Sequence, residues 1–416
     1  MAAQSQQIDY TINNPDSFTK YKTAGQISEK VLAEVSKLCV AGSKVPGEPV
    51  KIQLGAQIDG LGTIVCDTVL ARKPDEEEAV IEGRMADLLL ATYYANEVLL
   101  RLMIPPGLLA QGSDEEKAKA AAAKPPSQAK ITSLLEKVTQ AYDCHLVEST
   151  TSWLFERNEI ESSKKIVLAP GENTKGEGVP AVGEVWGVET GVSLGSGKVK
   201  QFEQRATLHR RTNNTYSLKR PTSRKILYEV QKKFGTFPFS LRQLDDERDA
   251  KSGVIECVRG NVFRQYEVTG DKDNAPVARL LTTIAITKNG ITRLGGPPPL
   301  DLSKVNRYPG TRARTRRRRR SRPRRRPRRE RASKKRAAMR SKDCQGGGSG
   351  WSGASRVVSG HPSQGLPPLR FSPSTPSVVK LRGGITGFRP NLFMAGRDKR
   401  GMKVFIAVRP SLLLAP

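Results

Sequence analysis

The residues with the greatest capacity for chemistry lie in one arginine-rich stretch. Residues 312–342 hold nineteen lysines and arginines against one acid, Glu330, so the stretch carries a net charge of +18. A guanidinium binds phosphate through two parallel hydrogen bonds, and many such contacts release counterions from a nucleic acid. The stretch therefore predicts sequence-independent nucleic-acid binding that weakens steeply with salt. The predicted contact residues are Arg312, Arg314, Arg316, Arg317, Arg318, Arg319, Arg320, Arg322, Arg324, Arg325, Arg326, Arg328, Arg329, Lys334, Lys335 and Arg336.

The rest of the chain is much less charged. Of the formal net charge of +29, residues 343–416 carry +8 and residues 1–311 carry only +3. The basicity therefore belongs to the C-terminal part, and the part rich in apolar periodicity is close to neutral. A run of arginines this dense also resembles a nuclear or nucleolar targeting signal.

The histidines and cysteines form no pattern that predicts a metal site. No histidine has an acidic residue at ligand spacing, and no two cysteines form a CxxC pair, which favours a reducing compartment over a disulfide framework. The polar N-terminus shows no secretory signal, and no apolar run is long enough to span a bilayer. We expect a soluble intracellular chain with no cofactor and no membrane association. The residues concerned are His145, His209, His361, Cys39, Cys66, Cys144, Cys257 and Cys344.

Apolar periodicity predicts an α+β domain, a sheet backed by helices, because helices and strands alternate without a regular βαβ repeat or a GxGxxG turn. The predicted helices are Thr19–Val40, Glu76–Met103, Ile131–Tyr142, Ser223–Phe234 and Leu241–Ser252. The predicted strands are Val50–Leu54, Gly62–Leu70, Lys165–Val167, Val185–Val188, Val254–Val258, Val262–Val268 and Val277–Lys288.

Composition divides the chain into four zones. Residues 1–16 form a polar lead-in that we expect to be disordered, and residues 17–304 form the folded domain. Residues 305–342 contain the arginine tract, which like-charge repulsion and prolines should keep disordered when free. Residues 343–416 are rich in Gly, Ser and Pro, and no structure is predicted for them.

Five blocks carry distinctive residue orders, above all TSRKILYEVQKKFGTFPFSLRQLDDERDAKSGVIECV at 222–258. The others are 19–35, 47–70, 183–200 and 278–298. Together they resemble the proliferation-associated and curved DNA-binding protein family, which shares the pita-bread fold of methionine aminopeptidases. The resemblance covers most of 17–304 and implies a pita-bread domain.

The resemblance also implies where metal ligands would stand. Active enzymes of this fold hold two divalent ions with two Asp, one His and two Glu, and the ion pair activates a water for amide hydrolysis. The five matching positions hold one carboxylate, and the other four residues are an amide, two aliphatic side chains and an indole, which cannot hold a divalent pair. The positions are Gln53, Ile64, Trp153, Glu189 and Leu281. Asp67 does not replace Ile64, since residues three apart on a strand face opposite sides.

Each of these features also has a plainer interpretation. A lone carboxylate such as Glu189 is more often hydrogen-bonded structure than a catalytic remnant. Trp153 could stack a base or peptide, and it could equally fill the vacated volume. The segment LKRPTSRK at 218–225 could contact phosphate, although a solvated helix start is the commoner outcome.

Two departures separate this chain from the family pattern. The family has a few dozen further residues, a helix and a β-hairpin, between the regions of Val40 and Gly47, so this domain should be incomplete in its N-terminal half and leave a sheet edge open. The resemblance also stops near residue 305, and a lysine run read one base out of frame becomes an arginine run. We hypothesise that the sequence after about Asn306 comes from a shifted reading frame or a retained intron, and that an exon is missing near Val40. Transcript reads across both junctions would test this hypothesis.

The expected function is therefore non-catalytic. Family members carry a lysine-rich C-terminal tail associated with RNA binding, nucleolar residence and the large ribosomal subunit. The resemblance implies RNA and the ribosome as partners, with DNA and proteins as further partners, in the cytoplasm and the nucleus or nucleolus. Ribosome biogenesis, translation or growth control would be the process. The alternatives are a metal-dependent methionine aminopeptidase and a protein–protein adaptor that uses the closed pocket as a peptide groove.

Overall fold

The structure is a computed structural model. It describes residues 9–39, 47–71, 80–171 and 174–307, together with the backbone of two strands at 393–397 and 403–410. Within this part of the chain, no helix is long and apolar enough to cross a membrane.

Six helices and fifteen strands make up the described part. The helices are α1 (Pro15–Lys37), α2 (Gly83–Leu102), α3 (Asp114–Ala121), α4 (Gln128–Gln140), α5 (Pro221–Lys233) and α6 (Glu247–Arg259). The strands are β1 (Pro49–Ile58), β2 (Leu61–Leu70), β3 (His145–Leu146), β4 (Thr151–Phe155), β5 (Lys165–Val167), β6 (Val185–Ser193), β7 (Val199–Gln201), β8 (Leu208–Arg211), β9 (Phe239–Ser240), β10 (Phe263–Tyr266), β11 (Thr269–Asp271), β12 (Val277–Thr287), β13 (Gly290–Gly295), β14 (Phe393–Arg397) and β15 (Lys403–Pro410). Short 3-10 turns occupy Leu241–Gln243 and Leu302–Lys304.

The first helix begins earlier than the sequence suggested. Asn14 caps α1 by accepting a hydrogen bond from the Asp16 N–H, and Pro15 takes the first helical position, where its missing N–H costs nothing. Residues 9–14 are also placed, with the Tyr10 ring 3.9 Å from the guanidinium carbon of Arg157. The predicted disordered lead-in of 1–16 is therefore wrong for residues 9–16, and residues 1–8 lie outside the described part.

One ten-stranded sheet forms the centre of the fold. Its main path runs β14-β15-β1-β2-β12-β6-β4-β5, with β13 beside β12 and β3 beside β6. Neighbouring strands along this path pair antiparallel, from Val50↔Pro410 between β1 and β15 to Thr151↔Val167 between β4 and β5. The edge of β1 that the shortened N-terminal half should leave open is thus paired with β15. The expectation of an unstructured tail over 343–416 is wrong for β14 and β15.

Helices cover one face of this sheet. Leu32 and Val35 of α1 pack on Ile52, Leu54 and Val65. Helices α2 and α4 cover the centre of the same face, where Leu88, Leu99 and Leu135 surround Trp186 and Val188. Helix α1 approaches β13 so closely at Gly25 that a Cβ there would lie 1.7 Å from the carbonyl oxygen of Leu294. The predicted α+β class, a sheet backed by helices, is confirmed.

A second layer lies over the opposite face. Helices α5 and α6 and the three-stranded sheet β10-β8-β9 share a core that includes Ile226, Phe239 and Val254. The predicted strand Val254–Val258 is wrong, since these residues form the second half of α6. The predicted helix Leu241–Ser252 is also corrected, because a 3-10 turn ends at Gln243 and α6 begins at Glu247 after the Asp246 cap.

Candidate functional site

The five positions that would hold metal ligands lie on one face of the large sheet. Gln53 is opposite Cys66, Cys66 is opposite Leu281, and Leu281 is opposite Glu189, so these residues form one row across β1, β2, β12 and β6. Directly opposed residues share a face, as do residues two apart on one strand. Ile64 therefore joins this face beside Cys66, and Trp153 joins it because it stands opposite Gly187, two residues before Glu189.

Glu189 is held by an arginine that the sequence analysis did not single out. The Arg279 Nε donates to Glu189 Oε1 at 2.6 Å, and Nη2 donates to the same oxygen. The Glu189 side chain is 14% exposed and the Arg279 side chain is 29% exposed. Burial acts to lower the pKa of Arg279, but the Glu189 carboxylate outweighs it, and the pKa of Arg279 is raised. A guanidinium thus supplies the positive charge beside this carboxylate.

Buried apolar groups and a thiol occupy the positions between Gln53 and Glu189. Ile64, Cys66 and Leu281 belong to one buried cluster with Phe237, whose ring packs over Gly55 and Gly62. Burial raises the pKa of the Cys66 thiol to about 12, so it is a neutral thiol rather than a thiolate ligand at physiological pH.

Trp153 lies at the edge of this cluster. Its ring is partly buried against the cluster, and the Lys165 Nζ lies 5.4 Å from the ring centroid. The side chain of the neighbouring Ser152 ties β4 to β6, since the Glu189 N–H donates to Ser152 Oγ at 3.0 Å. Trp153 therefore packs as part of the core while its ring also contacts a cation.

Asp67 faces the other side of the sheet. It stands opposite Ile52, whose side chain packs under α1, whereas its neighbour Cys66 lies in the cluster with Ile64. The Asp67 carboxylate accepts a hydrogen bond from the Thr68 N–H at 2.8 Å. Burial nevertheless raises the pKa of Asp67 to about 6. The face assignment agrees with the alternation argument that excluded Asp67 as a substitute for Ile64.

The raised pKa of Asp67 predicts a stability change with pH. Because the folded chain binds this proton more tightly than the unfolded chain, the contribution of Asp67 to the free energy of unfolding falls as pH rises from about 4 to about 6. The Asp67→Asn variant is expected to lose this component. Urea unfolding of the full chain at pH 4.5 and pH 7 measures it; an unchanged pH dependence in the variant contradicts the assignment.

The other candidate ligands are dispersed. His145 Nδ1 lies 2.7 Å from the Gly195 carbonyl oxygen, and His209 is buried, which lowers its pKa. Among the described residues, no group of three or more His, Cys, Asp and Glu side chains could hold a metal ion. His361 lies outside the described part. The donor set at the former ligand positions does not fit a divalent pair, because its single carboxylate is already bound by Arg279.

The exposed face of α5 is a basic surface that begins in the segment 218–225 of the sequence analysis. Ile226 and Val230 bury the inner face of α5 against α6, where Gly253 allows a close approach. The outer positions carry no acid, and the 67% exposed Tyr228 stands between cations one turn away on each side. We define the α5 basic face as Arg224, Lys225, Tyr228 and Lys232. Of these, Lys225 makes an ion pair with Asp249 at 2.8 Å.

A solved structure of high similarity decides the family. The structure of a thermophilic Arx1 matches with 69% sequence identity and a TM-score of 0.68, and the match covers 70% of this chain and 94% of that chain. The chain belongs to the Arx1 family. No family model matches the chain.

Several curated relatives show weaker similarity to this chain. The curved DNA-binding protein of Schizosaccharomyces pombe is 28% identical over 353 residues, 70% of this chain and 86% of that protein. The potato ERBB-3 binding protein 1 is 31% identical over 251 residues, and this chain spans 58% of its length. A Yarrowia lipolytica relative that is 23% identical is named probable metalloprotease ARX1, with 62% of this chain and 69% of that protein covered.

The matches to the curved DNA-binding protein and to Arx1 confirm the predicted resemblance, and the methionine aminopeptidase-like pita-bread fold is confirmed with it. The arginine tract lies outside the described residues, so its sixteen predicted contact residues stay a prediction. What the described part of this Arx1-family chain shows is a sheet face closed by an ion pair and apolar side chains, and a separate basic helix face.

Proposed function

We propose that this chain is a non-catalytic aminopeptidase-fold protein that binds ribosomal RNA and associates with the large ribosomal subunit. The α5 basic face is the observation that carries the proposal. A helix fixed on its inner side and lined outside by cations around an exposed tyrosine can contact phosphates with the cations and a base with the ring.

The closed sheet face supports the non-catalytic half of the proposal. Metal-assisted hydrolysis needs ligands that hold the ions and leave an open position for water. At the five positions, Arg279 already neutralises Glu189, and Phe237 and Leu281 fill the adjacent volume. A divalent ion there would meet a guanidinium and a neutral thiol.

The arginine tract would add affinity to the α5 basic face. Its net charge of +18 supplies phosphate contacts without sequence preference, and together the two surfaces would make binding strongly dependent on salt. RNA is favoured over DNA as the main partner because the family resemblance implies the ribosome, and the same tract would hold the protein in the nucleus or nucleolus as well as the cytoplasm. Ribosome biogenesis is the process that fits these places.

Co-sedimentation with ribosomes over a salt series tests the proposal. The full chain is compared with a variant in which residues 312–342 are replaced by a Gly/Ser linker of equal length, so that β14 and β15 keep their connection. The full chain is expected to co-sediment at low salt and dissociate as salt rises. The linker variant should bind more weakly, with a shallower slope of log affinity against log salt.

Other outcomes distinguish the alternatives. Two tightly bound divalent ions per purified chain, with hydrolysis of methionyl peptides, would establish the aminopeptidase alternative. Ribosome binding that is insensitive both to salt and to loss of the tract would favour the protein–protein adaptor. Preferential retention on duplex DNA in a competition with ribosomal RNA would make DNA the partner.

A further inference from the structure

The segment that leads into the arginine tract is fixed to the domain. The Ile81 N–H donates to the Lys304 carbonyl at 2.8 Å, and the Asn306 N–H donates to the Ile81 carbonyl at 2.9 Å. Val305 is buried between these bonds in a small cluster with Ala86 and Leu90 of α2. Residue 307 therefore has a defined place, five residues before the first arginine of the tract.

Arg307 lies over an aromatic ring at that place. Its guanidinium carbon is 4.6 Å from the centroid of Tyr142, and its Nη2 donates to the Ala141 carbonyl at the end of α4. The fully buried carboxylate of Asp87 lies 3.9 Å from Arg307 Nε and 3.0 Å from Arg84 Nη1. This arrangement holds the guanidinium plane in one orientation while the side chain stays 30% exposed.

A second tyrosine extends the stack, and a third meets it edge-on. The Tyr94 ring lies nearly parallel to Tyr142, with a centroid separation of 6.2 Å and an angle of 15°. Tyr93 meets Tyr94 edge-on at 5.4 Å and 74°. Tyr94 is 36% exposed although its neighbours on α2 are buried in the core. Arg307, Tyr142 and Tyr94 therefore form a surface ladder of three flat groups, which we call the stacking ladder.

We infer that the stacking ladder is a binding site for unpaired nucleobases of single-stranded RNA. The inference rests on the proposed function, and it specifies the form of RNA that is bound. Flat aromatic and guanidinium groups stack on any base, but only on bases that are free of a duplex.

Binding of a single-stranded oligoadenylate and of an RNA hairpin with equal phosphate number, whose loop is a linker without nucleobases, tests the inference with the full chain. The Tyr94→Ala variant is expected to bind the oligoadenylate roughly five- to tenfold more weakly, with an unchanged salt slope, because stacking involves no counterion release. Its affinity for the hairpin stem should stay within about twofold of wild type. Tyr94→Phe retains a stacking ring and should bind as wild type, as should Tyr216→Ala, which removes an exposed tyrosine elsewhere.

The outcomes separate this inference from the proposed function. If the wild-type chain binds neither RNA, the proposed function fails and the inference with it. If the wild type binds both and Tyr94→Ala binds the oligoadenylate normally, the inference alone is overturned. Equal loss on oligoadenylate and hairpin, or the same loss in Tyr94→Phe, also overturns it, because neither result is explained by base stacking.

Discussion

Replacing Arg224, Lys225 and Lys232 by alanine is expected to weaken ribosome binding by the full chain roughly tenfold to a hundredfold at moderate salt. Each cation that contacts a phosphate contributes about one counterion to the salt slope, so the log–log slope should fall by roughly two to three. These three residues lie outside the buried face of α5, so the substitutions leave the apolar α5–α6 core intact and remove only the exposed ion pair of Lys225 with Asp249. Sedimentation across a salt series measures both quantities.

A matched variant separates local contact from total charge. Lys30, Lys119 and Lys130 are exposed on α1, α3 and α4, and their replacement by alanine removes the same three charges from other helices. We expect its affinity to stay within about threefold of wild type. Equal losses in the two triple variants would show that net charge, rather than the α5 basic face, determines binding.

Replacing Arg279 by methionine is expected to lower the free energy of unfolding by about 2–4 kcal/mol. The variant leaves the Glu189 carboxylate only 14% exposed and without its guanidinium. An unpaired buried charge is costly, and the partial exposure of this pair places the expected loss toward the lower part of the usual range. Denaturant unfolding of the full chain, followed by tryptophan fluorescence, gives the value.

The double variant Glu189→Leu with Arg279→Met tests the cause. If the loss comes from the uncompensated carboxylate, removing that carboxylate as well should recover most of the stability. Arg293→Met is the comparison for a more exposed pair, since Arg293 is 44% exposed beside Glu97, and about 0–1 kcal/mol is expected. A single Arg279 variant as stable as wild type would mean that Glu189 does not depend on this partner.

Local pattern was enough to find the long buried elements. Strands β2 and β12 carry apolar runs, and α1 carries one buried stripe, so both types follow from periodicity. The apolar, β-branched run at 254–258 also looks like a strand. It lies in α6, however, where Ala250, Val254 and Cys257 are buried at helical spacing against α5. The Asp246 cap was the signal for that helix, and tertiary packing overrode the strand propensity.

The contacts that define the candidate site could not be predicted from the sequence. Arg279 and Glu189 are ninety residues apart, and they meet only because β12 and β6 pair with Leu281 opposite Glu189. Register between distant strands depends on the whole sheet, so no local pattern reveals it. Alternation did give the correct face for Asp67, which needs only its own strand. The exposure of Tyr228 could not be predicted without knowing which face of α5 packs against α6.

The pairing of β1 with β15 gives the sheet an order of assembly during synthesis. β1 is complete at residue 58, whereas its outer neighbour begins at residue 403. At about 5–20 residues per second, the nascent chain carries an unpaired β1 edge for roughly 20–70 s. Throughout that interval the edge can pair with a strand of another chain. We therefore expect association through this unpaired edge during synthesis, rather than the stability of the finished fold, to limit the yield of soluble protein.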